Sequence, residues 1–140
     1  MSERWVIDAS VGIAWVHPAQ ATAATADLRQ RLKGGVTLVV PVIWFHETAN
    51  ALLVLERRKK LKTDERSRTL SALKSLNIKA DHEGIPLVFG KVSELADAHN
   101  LSVYDAAYLE LAMRERLPFA TKDMPLQTAA RKCGVRLLLK

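Results

Sequence analysis

Cysteine is almost absent from this chain of 140 residues, which contains only Cys133. A disulfide within the chain is therefore impossible, and no pair of cysteines is present to bind zinc. Glycine and proline are also few, at 6 and 5 residues, and we find no repeat, low-complexity tract or flexible linker. This composition excludes a disordered or collagenous segment. We expect a single domain over residues 1–140, in a reducing cytoplasm.

Long apolar runs are missing as well. No stretch approaches the ~20 apolar residues that a membrane-spanning helix requires, so we expect no membrane segment. Residues 1–11 contain no long apolar core after a basic leader, so we expect no secretory signal either. Positive charge is in excess, because 21 Lys and Arg residues outnumber 15 Asp and Glu residues and leave a net charge of +6. This field favours an anionic partner such as nucleic acid but does not identify one.

The positive charge is densest at residues 57–62, where five of six residues are Arg or Lys. Such a run could contact phosphates. Cations are also common at the carboxyl end of a helix, where they suit the helix dipole, and we favour this second interpretation.

Strand-like and helix-like segments alternate along the chain. Five short apolar segments have the composition of buried strands: 4–8, 36–40, 119–121, 135–139 and, more weakly, 78–80. Six longer segments have helical spacing: 19–32, 43–60, 64–76, 87–99, 104–116 and 126–132. Since no hairpin turn separates the strands, the pattern predicts an α/β fold with a mostly parallel central sheet covered by helices on both faces.

Two acidic residues follow predicted strands. Asp8 ends the first strand, and Asp123 comes shortly after the strand at 119–121. Each would lie at the carboxyl edge of a parallel sheet, where ligands bind. Each also suits the N-cap of the next helix, which is the simpler alternative.

Two further acidic residues lie on predicted helices. Glu47 shares a helical row with Ile43 and Ala51, and a carboxylate buried there must be paired, protonated or held by a cation. Its alternative is a place at the edge of the apolar stripe, with the carboxylate in water. Asp105 begins an apolar helix whose solvent side is marked by Glu110 and Arg114. Residues 102–105 have the pattern of a capping box, so for Asp105 alone we favour a structural role.

A single explanation covers all four acids, because the carboxyl edge of a parallel sheet can bring them into one pocket. Carboxylates that lie close together repel one another and raise their pKa values unless a divalent cation is present. A cluster of oxygen ligands selects hard ions such as Mg²⁺ or Mn²⁺. The sequence therefore predicts a metal site in basic surroundings that would attract a polyanion.

Other chemistries lack their required spacing. Asn50 stands where a zinc-protease helix that begins at His46 needs its second histidine. No glycine pattern matches a P-loop or a dinucleotide fingerprint. A receiver-like phosphoacceptor domain is also α/β, but this chain lacks the paired acids expected directly after the first strand.

Four short motifs, in this order, resemble those of PIN domains and, more narrowly, of VapC-type toxins. They are Val6-Ile7-Asp8-Ala9-Ser10, then Pro41 followed by Glu47-Thr48-Ala49-Asn50-Ala51-Leu52, then Leu101-Ser102-Val103-Tyr104-Asp105-Ala106-Ala107-Tyr108-Leu109, and Phe119-Ala120-Thr121-Lys122-Asp123. The resemblance extends over nearly the whole chain.

The resemblance implies a PIN-like three-layer fold and a metal-dependent endoribonuclease that hydrolyses RNA phosphodiester bonds. One or two Mg²⁺ or Mn²⁺ ions would activate a water for in-line attack and stabilise the leaving oxygen. It also implies a homodimer and a cognate antitoxin that blocks the acidic pocket with an Arg side chain. The implied metal-binding and catalytic residues are Asp8, Glu47, Asp105 and Asp123, with accompanying hydroxyls at Ser10 and Thr121.

One alternative of another class remains open. The chain could be a non-catalytic RNA-binding or interaction module whose acids serve only as helix caps. Cleavage of RNA that depends on a divalent metal would separate the two hypotheses.

Overall fold

Four short strands form the central sheet, in the spatial order β3-β2-β1-β4. The computed structural model describes residues 3–139. The strands are β1 (Arg4–Ile7), β2 (Thr37–Pro41), β3 (Ile78–Asp81) and β4 (Phe119–Ala120). All three strand pairings are parallel. The predicted parallel α/β fold is therefore confirmed, including the weaker strand candidate at 78–80.

Seven α-helices flank the sheet in the described residues. They are α1 (Ala9–Val16), α2 (Ala23–Arg31), α3 (Ile43–Arg57), α4 (Thr63–Lys74), α5 (Ser93–His99), α6 (Val103–Glu115) and α7 (Met124–Lys132). Within residues 3–139, none of the helices combines the length and the apolar character needed to cross a membrane.

Several elements differ from the sequence-based prediction. Residues 9–16 form α1, which the spacing did not predict, because Val11 to Trp15 are all buried and the helix has no polar face to reveal a period. The predicted strand at 135–139 is reduced to a single bridge between Leu137 and Phe119, because β4 offers only two residues for pairing. The predicted helix at 19–32 begins only at Ala23, after a capping box formed by Thr22 and Thr25.

The segment before α5 also differs from the prediction of one helix over 87–99. A 3₁₀ turn at Ile85–Leu87 and a π turn at Val88–Val92 precede the regular helix, which begins at Ser93. At the other predicted helices, the ends differ by at most three residues.

The core lies on and around the sheet, and it fixes the helix that carries Glu47. Trp44, in the first turn of α3, is 2% exposed and packs against α1 at Gly12. A Cβ at Gly12 would lie only 2.9 Å from Cζ2 of Trp44, so the absence of a side chain permits this close approach. Glu47 follows Trp44 by about one turn of α3, and the packing of Trp44 therefore sets its position.

Parallel pairing brings the ends of β1 and β4 together. Val6 and Ile7 pair with Phe119 and Ala120, and the backbone N–H of Asp8 donates to the carbonyl of Ala120 at 3.2 Å. The chain that leaves β1 therefore runs beside the chain that leaves β4. Since α3 also begins just after β2, three strand ends contribute to the same edge of the sheet.

Candidate functional site

Asp8 is a buried carboxylate at the end of β1, with 8% of its surface exposed. Its Oδ1 accepts hydrogen bonds from the Ser10 hydroxyl at 2.6 Å and from the Val11 backbone N–H at 3.2 Å. Its Oδ2 accepts a short hydrogen bond from the Thr121 hydroxyl. Asp8 thus caps α1, as the simpler alternative predicted, and it also joins the ends of β1 and β4.

Thr121 and Ser10 extend this connection into the loop that precedes α7. The Thr121 hydroxyl, which belongs to a fully buried residue, accepts a hydrogen bond from the Asp123 backbone N–H at 3.0 Å. The Ser10 hydroxyl accepts one from the Lys122 backbone N–H at 3.1 Å. Both hydroxyls therefore hold the loop at residues 121–123 against Asp8.

Asp123 lies at the N-cap of α7, where its Oδ1 accepts a hydrogen bond from the Leu126 backbone N–H at 2.9 Å. The capping interpretation is therefore confirmed for Asp123 too. Its side chain is exposed, and its Oδ2 receives no hydrogen bond from residues 3–139. One oxygen of this carboxylate remains open to a ligand.

Glu47 is held by a tyrosine from another helix. The hydroxyl of Tyr108, on α6, donates to Oε1 of Glu47 at 2.5 Å. Glu47 is partly buried, whereas Tyr108 is 1% exposed. Burial and the hydrogen bond to Glu47 raise the pKa of Tyr108, so its hydroxyl keeps its proton and remains a donor.

Asp105 precedes Tyr108 by three residues on α6, so the two side chains lie on neighbouring positions of one helix face. The backbone N–H of Asp105 donates to the Ser102 hydroxyl at 3.0 Å, which forms the first half of the predicted capping box. This bond uses the backbone of Asp105 and not its carboxylate. The Ser102 side chain also lowers the pKa of the Asp105 carboxyl, so this carboxylate too interacts with the cap of α6.

The four acids are electrostatically coupled through Asp105. Burial raises the pKa of Asp8 and of Glu47, and the negative charge of Asp105 raises both further, while their hydrogen bonds lower them. Burial also raises the pKa of Asp105, and the charge of Asp123 adds to this rise. Each of the other three acids therefore lies close enough to Asp105 for repulsion, and a cation between them would relieve it.

The four acids do not form a closed cage. Among residues 3–139, the four acids supply no group of three with ligand atoms all within 4.8 Å of one another. An open arrangement of oxygen ligands suits Mg²⁺, because this ion is commonly held by one or two carboxylates and keeps several waters. Asp8, Glu47, Asp105 and Asp123 together offer such a donor set. Their assignment to a metal site stays a prediction.

A tighter acidic group lies elsewhere, at the end of β3. Ligand atoms of Asp81, Glu83 and Glu115 fall within 4.8 Å of one another. The guanidinium of Arg114 contacts all three, at 2.6 Å from Asp81, 3.4 Å from Glu83 and 3.7 Å from Glu115. By distance this group could hold a metal ion, but Arg114 already supplies a cation there.

The burial of Glu110 shows that one prediction about α6 was wrong. It was expected on the solvent side with Arg114, but it is only 4% exposed and accepts a hydrogen bond from Arg114 Nε at 2.8 Å. A buried carboxylate is tolerable here because the guanidinium pairs with it. The helical pattern could not show this, since the network also requires Asp81 from β3.

Tyr108 is the site residue that sequence reasoning missed. Its ring is buried and stacked on Phe119, with ring centroids 6.2 Å apart. Its hydroxyl reaches Glu47 across 61 positions of sequence. No local pattern signals a contact of this range.

Comparison with known proteins agrees with this fold. The family model of the PIN domain matches residues 5–132. PAE2754 from Pyrobaculum aerophilum is 23% identical, with a TM-score of 0.72 over 98% of this chain and 90% of that chain. VapBC2 from Rickettsia felis, bound to a DNA fragment from their promoter, is 12% identical, with a TM-score of 0.67 over 96% of each chain.

A toxin-antitoxin complex from Klebsiella pneumoniae is also similar. Its matching chain is 17% identical, with a TM-score of 0.53 over 85% of this chain and 86% of that chain. At these identities, the likeness to solved structures concerns the fold alone. No curated protein sequence matches this chain significantly.

Proposed function

Because this chain belongs to the PIN-domain family, we propose that it is a metal-dependent endoribonuclease of the VapC type that hydrolyses RNA phosphodiester bonds. The observation that supports the proposal is the set of contacts that links the four acids at one edge of the sheet. The Thr121 hydroxyl joins Asp8 to the backbone of Asp123. Tyr108, which follows Asp105 by about one turn of α6, joins that helix to Glu47. A buried carboxylate such as Asp8 is costly to keep ionised without a cation, and repulsion from neighbouring acids adds to this cost. A divalent ion in the same pocket would also draw in a phosphate.

The residues present fit a hard divalent ion. Asp8, Glu47, Asp105 and Asp123 would hold Mg²⁺ or Mn²⁺, since all four offer carboxylate oxygens. When bound, the ion supplies an activated water and stabilises negative charge on the leaving oxygen. The chain needs no covalent nucleophile for this chemistry.

The protein's own groups orient these acids. Ser10 and Thr121 donate to different oxygens of Asp8 and so fix the plane of its carboxylate. Tyr108 fixes one oxygen of Glu47 and lowers its pKa, which favours the ionised form. These three hydroxyl groups therefore prepare two carboxylates, in position and in charge, for a cation.

Replacing Tyr108 with Phe tests this positioning role. Glu47 would lose its donor, so its pKa should rise further, and cleavage at neutral pH should fall about tenfold, the value of one hydrogen bond to a charged group. The acidic limb of the pH profile of kcat/KM should move to higher pH, and the activity of the variant should recover when the pH is raised above neutral. Tyr104→Phe, an exposed tyrosine on the same helix, is the control. An unshifted pH profile for Tyr108→Phe would contradict the role.

The capping bonds of Asp8 and Asp123 favour the alternative, a non-catalytic RNA-binding or interaction module. One experiment separates the two functions. The purified protein is incubated with RNA and Mg²⁺ or Mn²⁺, with and without a chelator, and the RNA ends are mapped. We expect new ends only with the divalent ion. RNA binding without cleavage under every condition would favour the module.

The partners proposed are an antitoxin and a second copy of the chain. The antitoxin is supported by the similarity to a chain of a toxin-antitoxin complex. It would block the acidic pocket with an Arg side chain, which can engage two carboxylates. We propose the cytoplasm as the compartment, because the RNA substrate is found there.

A further inference from the structure

The end of α3 and the turn that leads to α4 carry dense positive charge. We call residues 57–62 the basic turn. All five of its cations are exposed, namely Arg57, Arg58, Lys59, Lys60 and Lys62. Within residues 3–139, none of the five forms an ion pair. The cations are therefore free to bind an external anion.

Two of the three acids beside the basic turn pair with cations outside it. Glu56 pairs with Arg66 at 2.9 Å, and Asp64 pairs with Arg68 at 3.2 Å. Glu65 accepts a hydrogen bond from the backbone N–H of Lys62 at 3.0 Å. Glu56 and Asp64 are thus paired with cations outside the basic turn, and Glu65 leaves the turn with an excess of positive charge, because one carboxylate faces five cations.

The backbone of the basic turn is well ordered by hydrogen bonds. The N–H groups of Arg58, Lys59 and Lys60 donate to carbonyls of α3 at 2.9–3.0 Å. Leu61 is 5% exposed and anchors the turn in the core. A cluster of cations on a fixed backbone loses less conformational freedom on binding than the same cations on a flexible loop.

Lys59 occupies a backbone conformation that favours glycine, with φ at 60°. Glycine would adopt it with less strain. The chain therefore has a lysine at a position where the backbone conformation favours glycine.

Helix α3 connects the basic turn to the candidate site. Arg58 follows Glu47 by eleven residues, which corresponds to about 16 Å along the helix axis. His46 and Asn50 are exposed on the same helix. An RNA strand whose scissile phosphate lies at Glu47 could reach the basic turn within a few nucleotides.

We propose that the basic turn binds the phosphate backbone of the RNA substrate at a distance from the scissile bond. The inference rests on the proposed function and extends it. Phosphate contacts of this kind add affinity and set the register of the strand without selecting its sequence. The basic turn would thus retain the RNA while the acidic pocket acts on one bond.

The composition of the basic turn favours RNA over a protein or a membrane. Within residues 3–139, the basic turn contains none of the large apolar side chains that are exposed. A protein interface usually has an apolar or aromatic centre, and a helix at a membrane surface needs an apolar face. A backbone of phosphates needs only closely spaced cations.

The test compares two triple variants that remove the same charge. One is Arg57→Gln, Arg58→Gln and Lys60→Gln in the basic turn. The control is Arg4→Gln, Lys33→Gln and Arg136→Gln, three exposed cations near the amino ends of the strands. Thermal unfolding of both variants checks that the fold is retained.

Binding of polyuridylate is measured over a range of salt concentrations in an Asp105→Asn background, so that the result does not depend on cleavage. We expect the basic-turn variant to lose at least about tenfold in affinity. The slope of log K against log salt should fall by about two, since each phosphate contact on a single strand contributes about 0.7. The control should lose much less.

Cleavage supplies the second measurement. In the chain with Asp105 intact, the basic-turn variant should lose more kcat/KM on a long RNA than on a minimal RNA that spans only the scissile bond.

Equal losses in the two triple variants, or none in either, would overturn the inference. Loss of binding to polyglutamate with RNA binding retained would also overturn it and indicate an acidic protein partner. If the parent chain binds RNA through the basic turn but cuts none, the proposed function fails and the inference stands as binding alone.

Discussion

Asp105→Asn is expected to abolish metal-dependent RNA cleavage, with a loss of at least about a hundredfold in kcat/KM. Asp105 is the acid whose charge acts on both Asp8 and Glu47, and it is itself affected by Asp123. Its removal should therefore weaken metal binding by the whole group. The measurement is the initial rate of RNA cleavage over a range of Mg²⁺ concentrations.

The substitution should leave the fold intact. The capping bond to Ser102 uses the backbone N–H of residue 105, which asparagine retains. Asp8→Asn is a less selective test, because Oδ1 of Asp8 caps α1 and Oδ2 joins the ends of β1 and β4 through Thr121. Asp97→Asn, an exposed acid on α5, is the matched control. Cleavage by Asp105→Asn within a few fold of the parent would contradict the assignment.

The metal-free protein is expected to lose stability as the pH rises, and Mg²⁺ should restore it. The folded-state pKa values of Asp8, Glu47 and Asp105 lie above their ordinary values of 3.8, 4.5 and 3.8. Between the ordinary and the raised values, the folded protein binds more protons than the unfolded chain. The contribution of these groups to stability therefore falls as pH rises through that window and stays lost above it.

A cation that binds only the folded protein should reverse this loss. At a Mg²⁺ concentration about a hundredfold above Kd, the expected gain in the free energy of unfolding is about 2.7 kcal/mol. The measurement is Tm at acidic and neutral pH, with Mg²⁺ or with a monovalent salt of equal ionic strength. The comparison with Asp105→Asn separates the contribution of the site from that of the rest of the protein.

Asp105→Asn should raise the Tm of the metal-free protein at neutral pH, since it removes a repelling charge. It should also reduce the gain from Mg²⁺. If Mg²⁺ leaves the Tm of the parent unchanged at neutral pH, or if Asp105→Asn lowers the metal-free Tm there, the four acids do not behave as a metal site.

The sequence alone determined the features that depend on neighbouring residues. Apolar runs located β1, β2, β3 and β4, since strands of a parallel sheet are buried on both faces. The caps at Asp8, Asp123 and Ser102 followed from residue type and position before a helix. Helix α1 escaped prediction because it is buried on most sides and shows no amphipathic period.

Only the tertiary structure decided which distant groups meet. Thr121 contacts Asp8 across 113 positions, because β4 pairs directly with β1. Tyr108 contacts Glu47 across 61 positions, because α6 and α3 lie at the same edge of the sheet. Glu110 is buried against Arg114 for a similar reason, since β3 supplies Asp81 to the network. Such contacts depend on strand order and helix packing, and a local pattern of residues records neither of them.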